Sequence, residues 1–154
     1  MMKTLILGYG NTLRKDDGLG VYASEALAAT ALPADVEVLS CHQLSPELSA
    51  TLAQAEHVIF IDVTLAANGE LPGRIKTREL HPRPTQPSGI THHFAPETLL
   101  AMAETLYGHA PQASLFSVTA DNFDLGEGLS PEVITALPVL VGNIREYLFA
   151  LHQN

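Results

Sequence analysis

Apolar residues recur along the chain with two spacings, which predict strands alternating with helices. Short runs rich in Val, Ile and Leu are typical of buried strands, whereas apolar residues three and four positions apart are typical of amphipathic helices. The predicted strands are TLILGYG from Thr4, VEVLSCH from Val36, HVIFIDV from His57, GRIKTREL from Gly73 and ASLFSVTA from Ala113. The predicted helices span residues 18–29, 45–55, 96–107 and 131–150. This alternation indicates an α/β fold with a largely parallel sheet.

Three local features refine this prediction. The sequence LSPE occurs twice, at Leu44–Glu47 and Leu129–Glu132, and each copy predicts a helix start in which serine caps and proline takes the first turn. Pro138 lies inside the last predicted helix, so we expect a kink or break near Leu137. The proline-rich segment 80–91 predicts a long irregular excursion, and such excursions are often functional.

Composition and charge narrow the class of protein. A chain of 154 residues, 46% of them hydrophobic, fits a single domain over residues 1–154. The net charge of -9 with only eight Lys and Arg argues against a nucleic-acid partner. Cys41 is the single cysteine, and we find neither a signal sequence nor an apolar stretch long enough to span a bilayer. We therefore expect a cytoplasmic protein that does not bind membranes.

Candidate chemistry lies where polar residues follow the predicted strands, because ligands of open α/β sheets bind outside the carboxyl ends of the strands. Asp16 and Asp17 follow the first strand, within GYGNTLRKDDGLG. Asp62 ends the apolar run of the third strand, and His92 and His93 end the proline-rich segment. Two carboxylates and one imidazole would suit nickel, zinc or manganese, and could leave positions open for water or substrate.

Each candidate also has an ordinary explanation. Aspartates before Gly18 are common helix caps, and taken alone Asp16 and Asp17 fit that role best. A strand-end aspartate such as Asp62 often closes a turn, and adjacent loop histidines are usually solvated. A dinucleotide site is disfavoured, because the first loop has glycines at positions 8 and 10 but leucine where the fingerprint requires its third glycine.

The string LILGYGNTLRKDDGLG resembles the N-terminal signature GxGNxLxxDDGxG of the [NiFe]-hydrogenase maturation endopeptidases. The resemblance continues through HVIFIDV and THHFAPETLLAMAETLYG, and so covers most of the chain in consistent order. It implies a three-layer α/β fold, in which a twisted, mostly parallel five-stranded sheet is flanked by helices on both faces. It also implies a protease that removes a C-terminal extension from a [NiFe]-hydrogenase large-subunit precursor after nickel insertion.

The resemblance also implies a ligand set. Asp17 matches the family's first acidic ligand and Asp62 its second. Counting forward to Leu100 favours His92 as the third ligand, whereas counting back from Gly108 allows His93; we prefer His92. Together these residues would bind nickel supplied by the substrate and take part in catalysis. Zinc or another divalent metal could substitute for the nickel. We expect a monomer whose partner is the hydrogenase precursor.

Two positions outside the ligand set also matter. Asp16 is interpreted as support for the loop. Family members more often carry glycines where this chain has CHQLSPEL, so His42 and Gln43 are candidates for substrate recognition.

Two rival functions are compatible with the same residues. A non-enzymatic nickel-sensing chaperone would dock on the hydrogenase precursor without cutting it. A generic α/β hydrolase would carry its own metal and act on short peptides. The sequence contains neither a G-x-S-x-G motif nor an evident Cys/His pair, the usual signs of a covalent nucleophile. Metal-assisted attack by water is therefore the preferred mechanism.

Overall fold

The computed structural model describes residues 2–84 and 94–153, and it contains all five predicted strands and all four predicted helices. A short 3-10 helix, Lys15–Gly18, precedes the first α-helix. The remaining elements in chain order are β1 Met2–Tyr9, α1 Leu19–Ala28, β2 Val36–Cys41, α2 Leu48–Leu52, β3 Ala55–Leu65, β4 Ile75–Leu80, α3 Pro96–Tyr107, β5 Gln112–Ala120 and α4 Pro131–Leu151. The predicted α/β alternation is therefore confirmed.

The five strands form one sheet in the order β2-β1-β3-β5-β4. The pairings β2–β1, β1–β3 and β3–β5 are parallel, and only β4 runs antiparallel, against β5 at one edge. Helices α1 and α4 pack on one face, and α2 and α3 on the other. The expected three-layer architecture with a mostly parallel sheet is confirmed.

Alternation along the strands explains the two apolar layers. Leu5 and Leu7 belong to the cluster under α2 and α3, whereas Ile6 between them belongs to the cluster under α1 and α4. Successive strand residues point to opposite faces, so a strand buried on both sides is apolar at most positions. This is why the inner strands β1 and β3 appear in the sequence as nearly continuous apolar runs, whereas the edge strands β2 and β4 include charged residues.

Some helix boundaries and caps differ from the prediction. Helix α2 begins at Leu48 with Glu47 as its cap residue, so Ser45 does not cap it. Ser130 does stand at the start of α4, yet its side chain makes no capping bond. The Ser130 side chain instead donates its hydroxyl proton to a hydrogen bond with the Asp16 carboxylate, and bonds to charged acceptors are strong.

A kink or break is predicted near Leu137; helix α4 runs from Pro131 to Leu151, so the predicted break is wrong. Pro138 lies on the exposed side of the helix, where the carbonyl left without a donor can be hydrated. The helix is also long and apolar enough to cross a membrane, which corrects the expectation that no such stretch exists. One helix with its buried face in the protein core is weak evidence for a membrane segment.

Candidate functional site

The site lies at the carboxyl ends of the neighbouring strands β1 and β3. The connections that follow these two strands lead to opposite edges of the sheet. From β1 the chain crosses to β2 on one side, whereas β3 is bordered by β5 on the other. Such a reversal of strand order opens a crevice. A cavity of about 800 Å³ occupies it, lined by Tyr9, Gly10, Asn11, Arg14, Asp17, His42, Gln43, Leu44, Asp62, Phe94, Ala95, Pro96 and Phe123.

Two glycines of the segment GYGNTLRKDDGLG, Gly10 in the loop and Gly20 in α1, allow α1 to approach the sheet closely. A Cβ at Gly20 would lie 2.4 Å from the Ile61 carbonyl oxygen and 2.5 Å from that of Tyr9. Gly10 has a φ of +147°, and a Cβ there would lie 1.8 Å from the Asp17 carbonyl oxygen. Only glycine fits at both positions. The spacing of glycines in the sequence thus brings the 3-10 helix, and Asp17 with it, to the mouth of the crevice.

Asp17 is partly exposed to the cavity. Its Oδ2 accepts a hydrogen bond of 2.7 Å from the backbone N–H of Asn11, six residues earlier in the same loop. The bond holds the carboxylate on the cavity side and leaves its other oxygen without a protein hydrogen bond among the described residues. That oxygen is therefore available to a ligand.

Asp62 lies within β3 rather than at its end, since the strand continues to Leu65. The last β1–β3 pair is Gly8 with Ile61, so Asp62 stands one residue beyond the pairing with β1 and faces the cavity. Its Oδ1 accepts a 2.7 Å hydrogen bond from the Val63 N–H. Burial, helped by the negative charge of Asp17, raises the pKa of Asp62 to about 7, although the bonds from Val63 and Tyr9 oppose the shift.

Tyr9 is a site residue that the sequence analysis did not identify. It ends β1 beside Asp62, hydrogen-bonds to that carboxylate, and packs edge-on against Phe60 at a centroid distance of 6.4 Å. Burial and the nearby Asp62 raise the pKa of Tyr9 well above its ordinary value, so the hydroxyl stays protonated and is the donor in its hydrogen bond to Asp62. A polar-tipped residue at the end of a central strand was the signal available in the sequence.

The predicted histidine ligands, His92 and His93, lie outside the described residues, in the gap between the ranges 2–84 and 94–153. Phe94, Ala95 and Pro96, the residues that follow directly, line the cavity. Within 2–84 and 94–153 no group of three His, Cys, Asp or Glu side chains could hold a metal ion. The structure therefore brings Asp17 and Asp62 to one cavity, and the choice between His92 and His93 stays a prediction.

Asp16, directly before Asp17, lies elsewhere. It is fully buried, and its two carboxylate oxygens accept bonds from Ser130, at 2.7 Å from the backbone N–H and 2.8 Å from the hydroxyl. The interpretation of Asp16 as loop support fits these contacts. Ser130, predicted to cap α4, is the partner that fixes it.

The remaining cavity wall combines polar and apolar residues. His42 and Gln43, proposed from sequence for substrate recognition, line it together with Leu44. Arg14 and Phe123 line it as well and were not predicted. Phe123 comes from the loop after β5, which reaches the site only through tertiary contacts.

Comparison with known proteins identifies the architecture. No protein-family model matches the chain, and no curated protein matches it significantly. Among solved structures, the hydrogenase maturating endopeptidase HybD from E. coli is 25% identical with a TM-score of 0.76, the match covering 98% of this chain and 94% of that one. The fold is that of the hydrogenase maturation proteases.

Further structures with this maturation-protease fold match over similar lengths. The hydrogenase 2 maturation peptidase from Thaumarchaeota archaeon SCGC_AB-539-E09 is 25% identical, covering 95% of this chain and 97% of that one, with a TM-score of 0.71. The [NiFe] hydrogenase maturation protease HycI from Thermococcus kodakarensis KOD1 is 22% identical, covering 96% and 92%, with a TM-score of 0.76. The resemblance noted in the sequence is thus confirmed in fold over nearly the whole chain.

Proposed function

We propose that this chain is an endopeptidase of hydrogenase maturation, which removes the C-terminal extension of a [NiFe]-hydrogenase large-subunit precursor after nickel insertion. The supporting observation is that Asp17 and Asp62 meet at one cavity, in a fold shared with proteins described as hydrogenase maturation proteases. The signature loop supplies Asp17, and its glycines place that loop against β3.

The nickel in this proposal belongs to the substrate. Asp17 and Asp62 would each offer a carboxylate oxygen, and His92, with His93 as the alternative, would offer a ring nitrogen. Two oxygens and one imidazole suit nickel or zinc, so another divalent metal could substitute in the precursor. Recognition of the metal would make cleavage wait until the precursor has been loaded.

The proposed reaction is hydrolysis of one peptide bond by water. The substrate's metal would polarise the scissile carbonyl or lower the pKa of a bound water. The chain's own contribution is positioning: Val63 N–H and the Tyr9 hydroxyl fix the Asp62 carboxylate, and Asn11 N–H fixes that of Asp17.

The cavity is suited to an extended peptide. Leu44, Phe94 and Phe123 supply apolar wall, whereas His42 and Gln43 supply hydrogen-bonding groups. Ligand sites commonly combine a mostly apolar lining with a few placed polar groups. A tail of a few residues could therefore be bound while the rest of the precursor stays outside.

The proposal is tested by incubating the purified protein with nickel-loaded precursor and, in parallel, with nickel-free precursor. We expect loss of the C-terminal peptide only from the nickel-loaded form, measured by mass spectrometry. Binding of the loaded precursor without cleavage would instead favour a nickel-sensing chaperone. Cleavage of short unstructured peptides by the protein with its own metal would favour the generic hydrolase.

A further inference from the structure

Two loops at the cavity rim are bonded to each other along their backbones. The Lys15 N–H donates to the Gly126 carbonyl at 2.9 Å, and the Gly126 N–H donates to the Leu13 carbonyl at 2.8 Å. The Asp16 N–H donates to the Asn122 carbonyl at 3.1 Å. We call residues 13–16 and 122–130 the paired loops. Their reciprocal bonds join the loop after β1 to the loop after β5.

The paired loops are also anchored by side chains. Asp16 is buried beneath them and accepts two bonds from Ser130. The Lys15 ammonium donates to the Glu127 carbonyl at 3.2 Å, and Lys15 itself has a φ of +49°, a conformation uncommon for residues other than glycine. Such a backbone persists where surrounding contacts determine it. The paired loops are therefore a defined surface of the protein.

Two leucine side chains on the paired loops are exposed to solvent. Leu13 is 56% exposed and Leu125 is 74% exposed. Because the Gly126 N–H bonds to the Leu13 carbonyl, the two leucines belong to adjacent stretches of backbone. Nothing in the local packing requires leucine at these positions, since most of each side chain lies outside the protein. Single exposed leucines are ordinary, but apolar side chains that adjoin one another on a fixed surface are a feature of interaction sites.

The paired loops adjoin the cavity. Arg14, next to Leu13, and Phe123, two residues before Leu125, both line the cavity wall. Arg14 forms no salt bridge within the described residues, so it does not close the entrance by pairing with Asp17 or Asp62. A cavity of about 800 Å³ admits only a short piece of chain, so a folded protein whose tail entered it would press its body against this rim.

We propose that the paired loops are the docking surface for the folded body of the protein substrate, with Leu13 and Leu125 packing against an apolar area beside its C-terminal tail. The inference rests on the proposed function for the identity of that substrate. In this proposal the paired loops bind the folded body of the substrate, and the cavity carries out the chemistry on its tail. Changes to the paired loops should therefore alter KM and not kcat.

The test is the double variant Leu13→Ser/Leu125→Ser in the full chain, with nickel-loaded precursor as substrate. We expect KM to rise about tenfold or more, because truncating exposed apolar anchors weakens binding, and kcat to stay within about threefold. Leu106→Ser is the matched control, since Leu106 is 60% exposed near the C-terminal end of α3, whereas the N-terminal end of α3 borders the cavity. Thermal unfolding of each variant checks that it is folded.

The outcomes separate the two proposals. An unchanged KM in the double variant, or an equal rise in Leu106→Ser, would overturn docking on the paired loops while leaving the protease intact. If the parent chain binds the precursor but does not cut it, the protease proposal fails. In that case the docking proposal is decided by affinity alone, and tenfold weaker binding by the double variant supports it.

Discussion

Asp16 and Asp17 are neighbours in sequence and identical in chemistry, yet the fold gives them different surroundings. Asp16 is buried under the paired loops with both oxygens bound to Ser130, whereas Asp17 borders the cavity with one oxygen bound to Asn11. A carboxylate whose acceptors are occupied by the protein stabilises the fold, and one with a free oxygen can bind a ligand. The local sequence therefore does not assign the role of either aspartate; their hydrogen-bond partners do.

The largest expected effect concerns the cavity side of this comparison. Asp17→Ala and Asp62→Ala should each lower precursor cleavage by more than about 100-fold, because losing a direct ligand should cost more than losing one of its supporting partners. His92→Ala should do the same, with His93→Ala as its control. Each variant should keep its fold by circular dichroism. If Asp17→Ala cleaved the precursor near the parent rate, Asp17 would not be a ligand and would not differ from Asp16 in role. If only His93→Ala lost cleavage, His93 and not His92 would be the histidine ligand.

The next effect concerns the glycines that bring Asp17 to β3. Gly20→Ala should destabilise the protein by about 4 kcal/mol or more, or prevent folding, because its Cβ would overlap two backbone carbonyls. Gly142→Ala is the control, since its Cβ meets nothing within 4 Å on the exposed side of α4. That change should stabilise by roughly 0.5–1 kcal/mol, as alanine favours helix. Urea denaturation measures both changes in free energy of unfolding.

A smaller effect tests the Asp16 side. Asp16→Ala leaves the Ser130 N–H and hydroxyl without their acceptor, so we expect a loss of about 1.5–3 kcal/mol in the free energy of unfolding. In protein that remains folded, kcat should stay within about tenfold of the parent. If Asp16→Ala stopped cleavage without changing stability, the structural role assigned to Asp16 would be wrong.

A further effect is the pH dependence of stability from Asp62, which leaves the fold and the site geometry unchanged. Its pKa is raised to about 7 in the folded protein, so between pH 4 and 7 the native state holds a proton that the unfolded state has released. Stability from this group is therefore present at about pH 4 and is lost as pH rises through about 7. In metal-free protein, Asp62→Asn should flatten this slope in urea titrations at pH 5, 6, 7 and 8, whereas an unchanged slope would contradict the raised pKa.

Much of the fold could be predicted because the signals are local. Apolar and β-branched runs identified all five strands, most clearly the inner strands β1, β3 and β5, and the helical spacing predicted α3 with its observed bounds of Pro96–Tyr107. The errors arose where tertiary contacts override local preference. Ser130 forms the cap geometry but donates its hydroxyl to Asp16, and Pro138 is tolerated because it lies on the exposed side of α4.

The candidate site could be predicted only in part. Asp17 and Asp62 were identified because polar residues after apolar strands stand out, and the signature loop is distinctive. Tyr9, Arg14 and Phe123 were missed, since their presence at the cavity depends on strand register and on the pairing of loops more than 100 residues apart. Separation along the chain carries no signal of that pairing.

The sequence by itself determined the α/β alternation, the close packing allowed by the glycine-rich loop, and the two carboxylates available to a ligand. Those features depend on residue type and on spacing over a few positions. The tertiary structure decided which aspartate is buried and which borders the cavity, how Tyr9 meets Asp62, and that the loop after β5 completes the rim. These depend on distances between segments far apart in the chain, which are fixed only when the sheet order and register are formed.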